Sequence, residues 1–293
     1  MRIHRYGAAS VIRTEDVPRP APGPGEVLIR VAATSFNPSD VGLRRGLLRS
    51  VLPLDLPFTL GGELAGTVVE TGDGVDTLTP GDRVVGRVDT GGGAAEYAVA
   101  AAGTLVAAPA AIPLPHAAAI PIAGVTAWQA VYEHARVTPG RRVLVNGAGG
   151  GIGGFAVQLA KHAGAHVTAT AGPCSADVVR RLGADRIVDY TTTPLASALD
   201  EPVDVVLNFV AHRTTTLTSL LRPGGVVVSA TPATDAVHFV VRNDIGHLAA
   251  LVALIDAGAV GVDIHRSRPL TELAAVHRDA EAGHLRGKTI LVP

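Results

Sequence analysis

The sequence predicts an α/β protein, with a doubly wound parallel sheet inserted between two parts of an antiparallel, barrel-like β domain. Three observations predict it. Short β-branched runs parted by turn chemistry fill the first 110 residues or so, strands alternate with helix-length segments from about residue 115, and the tail returns to the first style. At 293 residues the chain is long enough for two cores. The division expected is 1–113 with 244–293 for the β domain and 114–243 for the inserted domain.

In the first part, Val27 to Val31, Gly66 to Glu70, Asp82 to Val85 and Glu96 to Val99 are the strand candidates. Thr71-Gly-Asp-Gly74 and Thr79-Pro-Gly-Asp82 are turn sequences. The residues after Val31, through Asn37-Pro38, read as turn-rich. In the middle, strands are expected at 143–145, 167–170, 187–189, 203–207, 225–228 and 237–241, with helices over 152–162 and 175–182. A helix-length polar segment separates the strands at 203–207 and 225–228. The tail offers helices near 244–257 and 270–282 and strands near 262–264 and 289–292.

Composition narrows the function classes. Hydrophobic residues make up 47% and charged residues 17%, with a formal net charge of -1, so nothing electrostatic invites nucleic acid or an anionic membrane. The first ten residues hold no apolar run of the signal-peptide kind, and no window offers about 18 apolar residues in a row. Cys174 is the single cysteine, which excludes an internal disulfide and a multi-thiolate zinc site. A cytoplasmic location is the expectation. The eleven histidines show no paired ligand spacing and read as surface or packing residues. Only Lys161 and Lys288 are lysines, so arginine is expected where a relative uses lysine.

The most informative segment is Val143-Leu-Val-Asn-Gly-Ala-Gly-Gly-Gly-Ile-Gly-Gly154, between a predicted strand and a predicted helix. It carries the dinucleotide fingerprint as Ala148-x-Gly150-x-x-Gly153. Ala148 makes the tight turn, Gly150 lets the backbone approach a pyrophosphate, and Gly153 lets helix and strand pack closely. The helix N-terminus, with Gly149, Gly151 and Ile152, offers free N–H groups to the phosphates. After the second strand, Thr168-Ala-Thr-Ala-Gly-Pro-Cys-Ser175 places no carboxylate where an NAD site puts one on the ribose. A 2′-phosphate is then not repelled, Ser175 can hydrogen-bond it, and NADPH is the expected cofactor.

These segments, together with Pro22 to Arg30, Asn37-Pro-Ser-Asp40, Gly61 to Gly66, Pro80 to Val84, Ala123 to Trp128, Leu182 to Asp185 and His284 to Leu291, span nearly the whole chain. The sequence resembles the zinc-independent quinone oxidoreductases of the medium-chain dehydrogenase/reductase superfamily, the group that includes zeta-crystallin. The resemblance implies a GroES-like domain built from both chain ends, a Rossmann domain between them, and NADPH in the cleft. It puts the nicotinamide near Asn37, Thr126 and the Phe239-Val240-Val241 stretch, Tyr190 near the 2′-phosphate, and Gly172, Phe209 and Lys288 in the cofactor site. It suggests a homodimer joined through sheet edges.

Zinc-dependent relatives carry Cys at the place of Asn37 and His at that of Gly62, so the resemblance implies no metal. Several relatives carry Tyr where this chain has Gly42, and an arginine or lysine where it has Cys174. The catalytic candidates are Asn37, Asp40 and Arg44, the last two read first as a turn-stabilising pair and second as an active-site rim. The expected activity is hydride transfer from NADPH to a quinone or an α,β-unsaturated carbonyl. The alternatives are a tailoring enoyl reductase acting on a bulky polyketide-like substrate and a non-catalytic NADPH-binding sensor.

Overall fold

A computed structural model describes residues 1–211 and 215–293, so the polar segment expected before Gly225 lies partly outside the described residues. In chain order the first elements are β1 (Arg2–Ile3), β2 (Glu26–Ser35), α1 (Pro38–Arg45), β3 (Phe58–Thr59), β4 (Glu63–Thr71), β5 (Arg83–Arg87), β6 (Tyr97–Ala101) and β7 (Leu105–Ala107). The middle runs α2 (Leu114–Ala117), α3 (Pro121–Trp128), a π-helical stretch Gln129–His134, β8 (Arg142–Asn146), α4 (Gly151–His162), β9 (His166–Thr170), α5 (Ala176–Arg181), β10 (Arg186–Val188), β11 (Val203–Asn208), α6 (Thr215–Thr218), β12 (Leu221–Ser229) and β13 (Val237–His238). The last elements are α7 (Ile245–Asp256), β14 (Ile264–Pro269), α8 (Leu273–Glu281) and β15 (Lys288–Val292).

The chain divides into two compact units. One comprises residues 1–122, 243–256 and 264–293, the other 123–242 and 257–263. The first boundary thus falls after α2 rather than at 113, because α2 packs on β2 and β4.

The first unit holds a seven-stranded sheet ordered β14-β15-β2-β4-β5-β7, with β6 also paired to β2. Long β2 is its spine because alternate residues Val27, Ile29 and Val31 bury against Leu64, Val68, Val84 and Leu105. A second apolar cluster joins the chain ends, with Met1, Ile3 and Val11 against Leu273, Val276 and Leu291.

The second unit holds six parallel strands ordered β10-β9-β8-β11-β12-β13, the doubly wound order in which ligands bind outside the strands' carboxyl ends. Every residue of β11 is buried, as a strand covered on both faces requires. No helix among the described residues is long and apolar enough to cross a membrane.

Three expectations are corrected. The stretch after Val31 through Asn37-Pro38 is not turn-rich: β2 continues to Ser35, and Pro38 already begins the helix α1, closed by left-handed Gly46. The last strand of the parallel sheet stops at His238: Phe239 turns inward onto His134, and Val240 is 81% exposed. The strand expected near 262–264 runs instead from Ile264 to Pro269.

Candidate active site

In the first unit, Asn37 caps α1. Its backbone N–H donates to Asp40 Oδ2 at 2.9 Å, which satisfies one of the donors that begin the helix. Its side-chain amide faces inward and donates to Glu63 Oε1 at 2.6 Å. Lys288, at the start of β15, places its ammonium 2.8 Å from Asn37 Oδ1, 3.1 Å from the Phe36 carbonyl and 3.1 Å from Glu63 Oε1. Ser35 also donates to Glu63 Oε1, and the Ile122 N–H donates to Oε2 at 2.7 Å. Glu63 is 0% exposed and Lys288 4%. A buried carboxylate survives here because four donors, one of them an ammonium, satisfy its oxygens.

Asp40 sits beside this pair and keeps part of its surface open to solvent. Burial pushes its carboxyl from an ordinary value near 3.8 to about 7; the Asn37 N–H and Lys288 oppose the rise, and Glu63 adds to it. A folded pKa above the unfolded one means that the native state holds the extra proton. The stability this gives is fully present below the unfolded value and is lost as pH rises through about 7. Asp40→Asn keeps a carbonyl to accept the Asn37 N–H but cannot ionise. Melting curves should therefore show the parent losing stability between roughly pH 4 and 7 relative to the variant; parallel pH profiles would sink the assignment.

In the second unit, β8 runs into the glycine turn and α4 leaves it. Gly150 is the N-cap of α4, with φ -88°. A Cβ there would touch nothing closer than the Gly147 carbonyl oxygen at 3.4 Å, so the space in front of it is not needed by the protein. Gly153 is the opposite case: its Cβ would meet Gly147 O at 2.2 Å and Ala148 Cα at 2.6 Å. Buried Ala148 donates its N–H to the Thr170 carbonyl, tying the turn to β9. Gly149 lies so close to Ser175 that a Cβ would come 2.5 Å from its hydroxyl. This turn, with α4's first N–H groups, suits a dinucleotide pyrophosphate, for which a Cβ-free cradle and unpaired donors are the requirement.

The turn after β9 carries Gly172, exposed Cys174 and Ser175, whose hydroxyl donates to the Gly172 carbonyl at 3.3 Å. Tyr190 stands over Gly172, 64% exposed, with its hydroxyl 3.3 Å from where a Cβ of Gly172 would lie. No carboxylate occurs between Ala171 and Ser175.

Residues 23–110 match the model of the alcohol dehydrogenase GroES-like domain, and residues 182–291 match that of zinc-binding dehydrogenases. A chloroplastic quinone oxidoreductase of Triphysaria versicolor is 34% identical over 100% of this chain and 98% of its own. The chain belongs to the quinone oxidoreductases of the medium-chain dehydrogenase/reductase superfamily. A chloroplast envelope quinone oxidoreductase homolog of Arabidopsis thaliana is 35% identical over 98% of this chain and 95% of its own. Among solved structures, the quinone oxidoreductase from Coxiella burnetii superposes with a TM-score of 0.92 at 29% identity, covering 100% of this chain and 98% of that one. The Escherichia coli quinone oxidoreductase, complexed with NADPH, superposes at 0.87 with 26% identity, covering 100% and 99%.

Placed within this quinone oxidoreductase, the expected site residues fall into groups. Asn37, Asp40 and Lys288 stand together in the first unit. Ala148 to Gly153, Gly172, Ser175 and Tyr190 cluster around the glycine turn in the second. Phe209 adjoins that turn through its N–H to the Asn146 carbonyl at 3.0 Å. Thr126 is buried on α3, and Val241 follows Phe239 beyond the parallel sheet.

Arg44 is a correction. It does not pair with Asp40 and lines no open rim: its side chain is fully buried, bonding the Gly7 carbonyl at 2.8 Å and Glu281 on α8 at 2.7 Å. Its neighbour His277 is buried too; desolvation first and Arg44 second lower it to about 4, so it is a neutral packing residue. Among the described residues no group of three or more His, Cys, Asp or Glu could hold a metal ion. Sequence reasoning missed Glu63, although a glutamate heading the small apolar run Leu64-Ala-Gly66 was the available signal.

Proposed function

We propose that this quinone oxidoreductase is a zinc-independent, NADPH-dependent reductase of quinones or α,β-unsaturated carbonyl compounds. The observation that carries the reading is the glycine turn, open at Gly150 and followed by a 171–175 turn free of carboxylate. NADPH, when bound, supplies the hydride. The backbone N–H groups of Gly151 and Ile152 would hold its pyrophosphate, and Ser175 and Tyr190 would face its 2′-phosphate. The second amide hydrogen of Asn37 is left for a ligand, since the first is committed to Glu63. The acceptor's oxygen collects the developing charge and is then protonated.

Metal independence rests on Lys288. An ammonium already stands 2.8 Å from Asn37, the residue at the place of a zinc-ligand cysteine, and a divalent cation beside it would meet like charge. An exposed Val237 on edge strand β13 supports a homodimer through that edge. The test is turnover of a panel of quinones and enones with NADPH, before and after chelation. Turnover that survives chelation, in protein holding far less than one zinc per chain, is expected; activity that follows zinc content would overturn the metal-free reading, and no turnover would overturn the reductase.

Cofactor preference gives a sharper expectation. NADPH should bind better than NADH, but modestly, because Cys174 stands where relatives place a cation. Cys174→Arg should tighten NADPH about tenfold and leave NADH nearly unchanged, since only NADPH carries the added phosphate. Dissociation constants at one fixed salt concentration decide it. An equal gain for both cofactors would place residue 174 away from the 2′-phosphate.

A further inference from the structure

Four neighbouring strands of the second unit end, at their carboxyl side, in a buried polar residue. They are Asn146 on β8, Thr170 on β9, Asn208 on β11 and Ser229 on β12, and all four are buried. Their side chains form one continuous chain of hydrogen bonds. The Gly147 N–H donates to Thr170 Oγ1 at 2.9 Å, and that hydroxyl donates to Asn146 Oδ1 at 2.9 Å. Asn146 Nδ2 donates to Asn208 Oδ1 at 2.9 Å, and Asn208 Nδ2 to Ser229 Oγ at 3.1 Å. Ser229 ends the chain by donating to the Thr231 carbonyl at 2.7 Å.

The chain has one direction, and its start sets it. A backbone N–H can only donate, so Thr170 accepts from Gly147, and its single proton points to Asn146 Oδ1. That turns the Asn146 amide so that its NH2 faces Asn208, which turns Asn208 in the same sense toward Ser229. Asn208 Nδ2 also lies 3.0 Å from the Val210 carbonyl, and Val210 presses on the glycine turn: a Cβ on Gly147 would lie 2.7 Å from Val210 Cγ1. Gly147 itself has a φ of +90°, a conformation that glycine adopts without steric cost.

We propose that Thr170, Asn146, Asn208 and Ser229 are positioning residues for the cofactor: a cross-strand brace that holds the glycine turn and the turns after β11 and β12 in one fixed arrangement. The brace deepens the NADPH reading and rests on it. In a buried network each bond orients the next, so its two ends are coupled although no side chain spans them.

The experiment separates coupling from local damage. Thr170→Val keeps the shape on β9 and removes both bonds of the hydroxyl. Its NADPH dissociation constant, from nucleotide fluorescence, should rise about tenfold, with KM for NADPH rising in step and kcat at saturating NADPH nearly constant. Thr170→Ser should restore affinity to within about twofold. Ser229→Ala, at the far end, should weaken NADPH about two- to tenfold, and the double variant should lose less than the product of the two.

Amide hydrogen exchange at Gly147 in the nucleotide-free protein should quicken in Ser229→Ala as well. Should Thr170→Val fail to fold, Ser229→Ala with Thr170→Ser carries the test. A Ser229→Ala protein with parental affinity and parental Gly147 exchange would overturn the brace, as would losses that simply multiply. If the parent protein bound no nucleotide, the cofactor reading would fail separately, and Gly147 exchange would still decide the brace.

Discussion

Gly150→Val should fold as the parent does and lose its nucleotide, whereas Gly153→Val should fail to hold the fold. The two glycines stand three residues apart and face different neighbours. At Gly153 a Cβ would lie 2.2 Å from the Gly147 oxygen and 2.6 Å from Ala148 Cα, so the start of α4 would have to leave the end of β8. Overpacking of this kind costs about 1–3 kcal/mol or more. At Gly150 the nearest atom to a Cβ is 3.4 Å away and φ is -88°, which any residue adopts. A valine there fills only the space proposed for the pyrophosphate. NADPH affinity should then fall on the order of a hundredfold, equivalent to about 2.8 kcal/mol, with a near-parental melting temperature. The check is a melting curve and a nucleotide titration for each variant. Parental affinity in a folded Gly150→Val protein would mean that the turn does not hold the pyrophosphate.

Lys288→Met should be among the most destabilising single changes in the first unit. The ammonium meets three oxygens, from Phe36, Asn37 and Glu63, at 2.8–3.1 Å, and both charges of the pair are almost fully buried. Methionine fills much of the volume but leaves the Glu63 carboxylate uncompensated. Breaking a buried pair from one side typically costs about 3–5 kcal/mol, far more than the pair itself contributes. Adding Glu63→Gln removes the stranded charge, so the double variant should recover part of the loss. Urea unfolding of the parent, both single variants and the double variant measures this. A Lys288→Met loss below about 1 kcal/mol, or a double variant no better than the single, would mean that the carboxylate finds another partner.

The strand–turn–helix around Ala148, Gly150 and Gly153 was legible because its signal is local: a β-branched run, small residues at fixed offsets, then a run of helical length. The alternation from β8 to β12 was legible for the same reason. Helix α1 was not, because Pro38 and Gly46 punctuate it like a loop, and the cap at Asn37, the packing of Val41 and the Arg44–Glu281 contact are what hold its eight residues. The two-residue β13 was read too long because Val237 to Val241 has strand composition, while the ladder ends with the Phe239 N–H on the Ser229 carbonyl as the Phe239 ring packs on His134.

The sequence by itself determined the class of fold, the place of the glycine turn, the missing carboxylate of the second turn and the family. Each is written in neighbouring residues, where periodicity, turn chemistry and short motifs act. Only the tertiary structure decided which polar groups meet inside. Lys288 is 225 residues from Glu63, Arg44 is 237 from Glu281, and Asn146 is 62 from Asn208. No local pattern encodes such partners. They are chosen when burial strips each group of water and leaves it to be satisfied by whatever the fold has brought within reach.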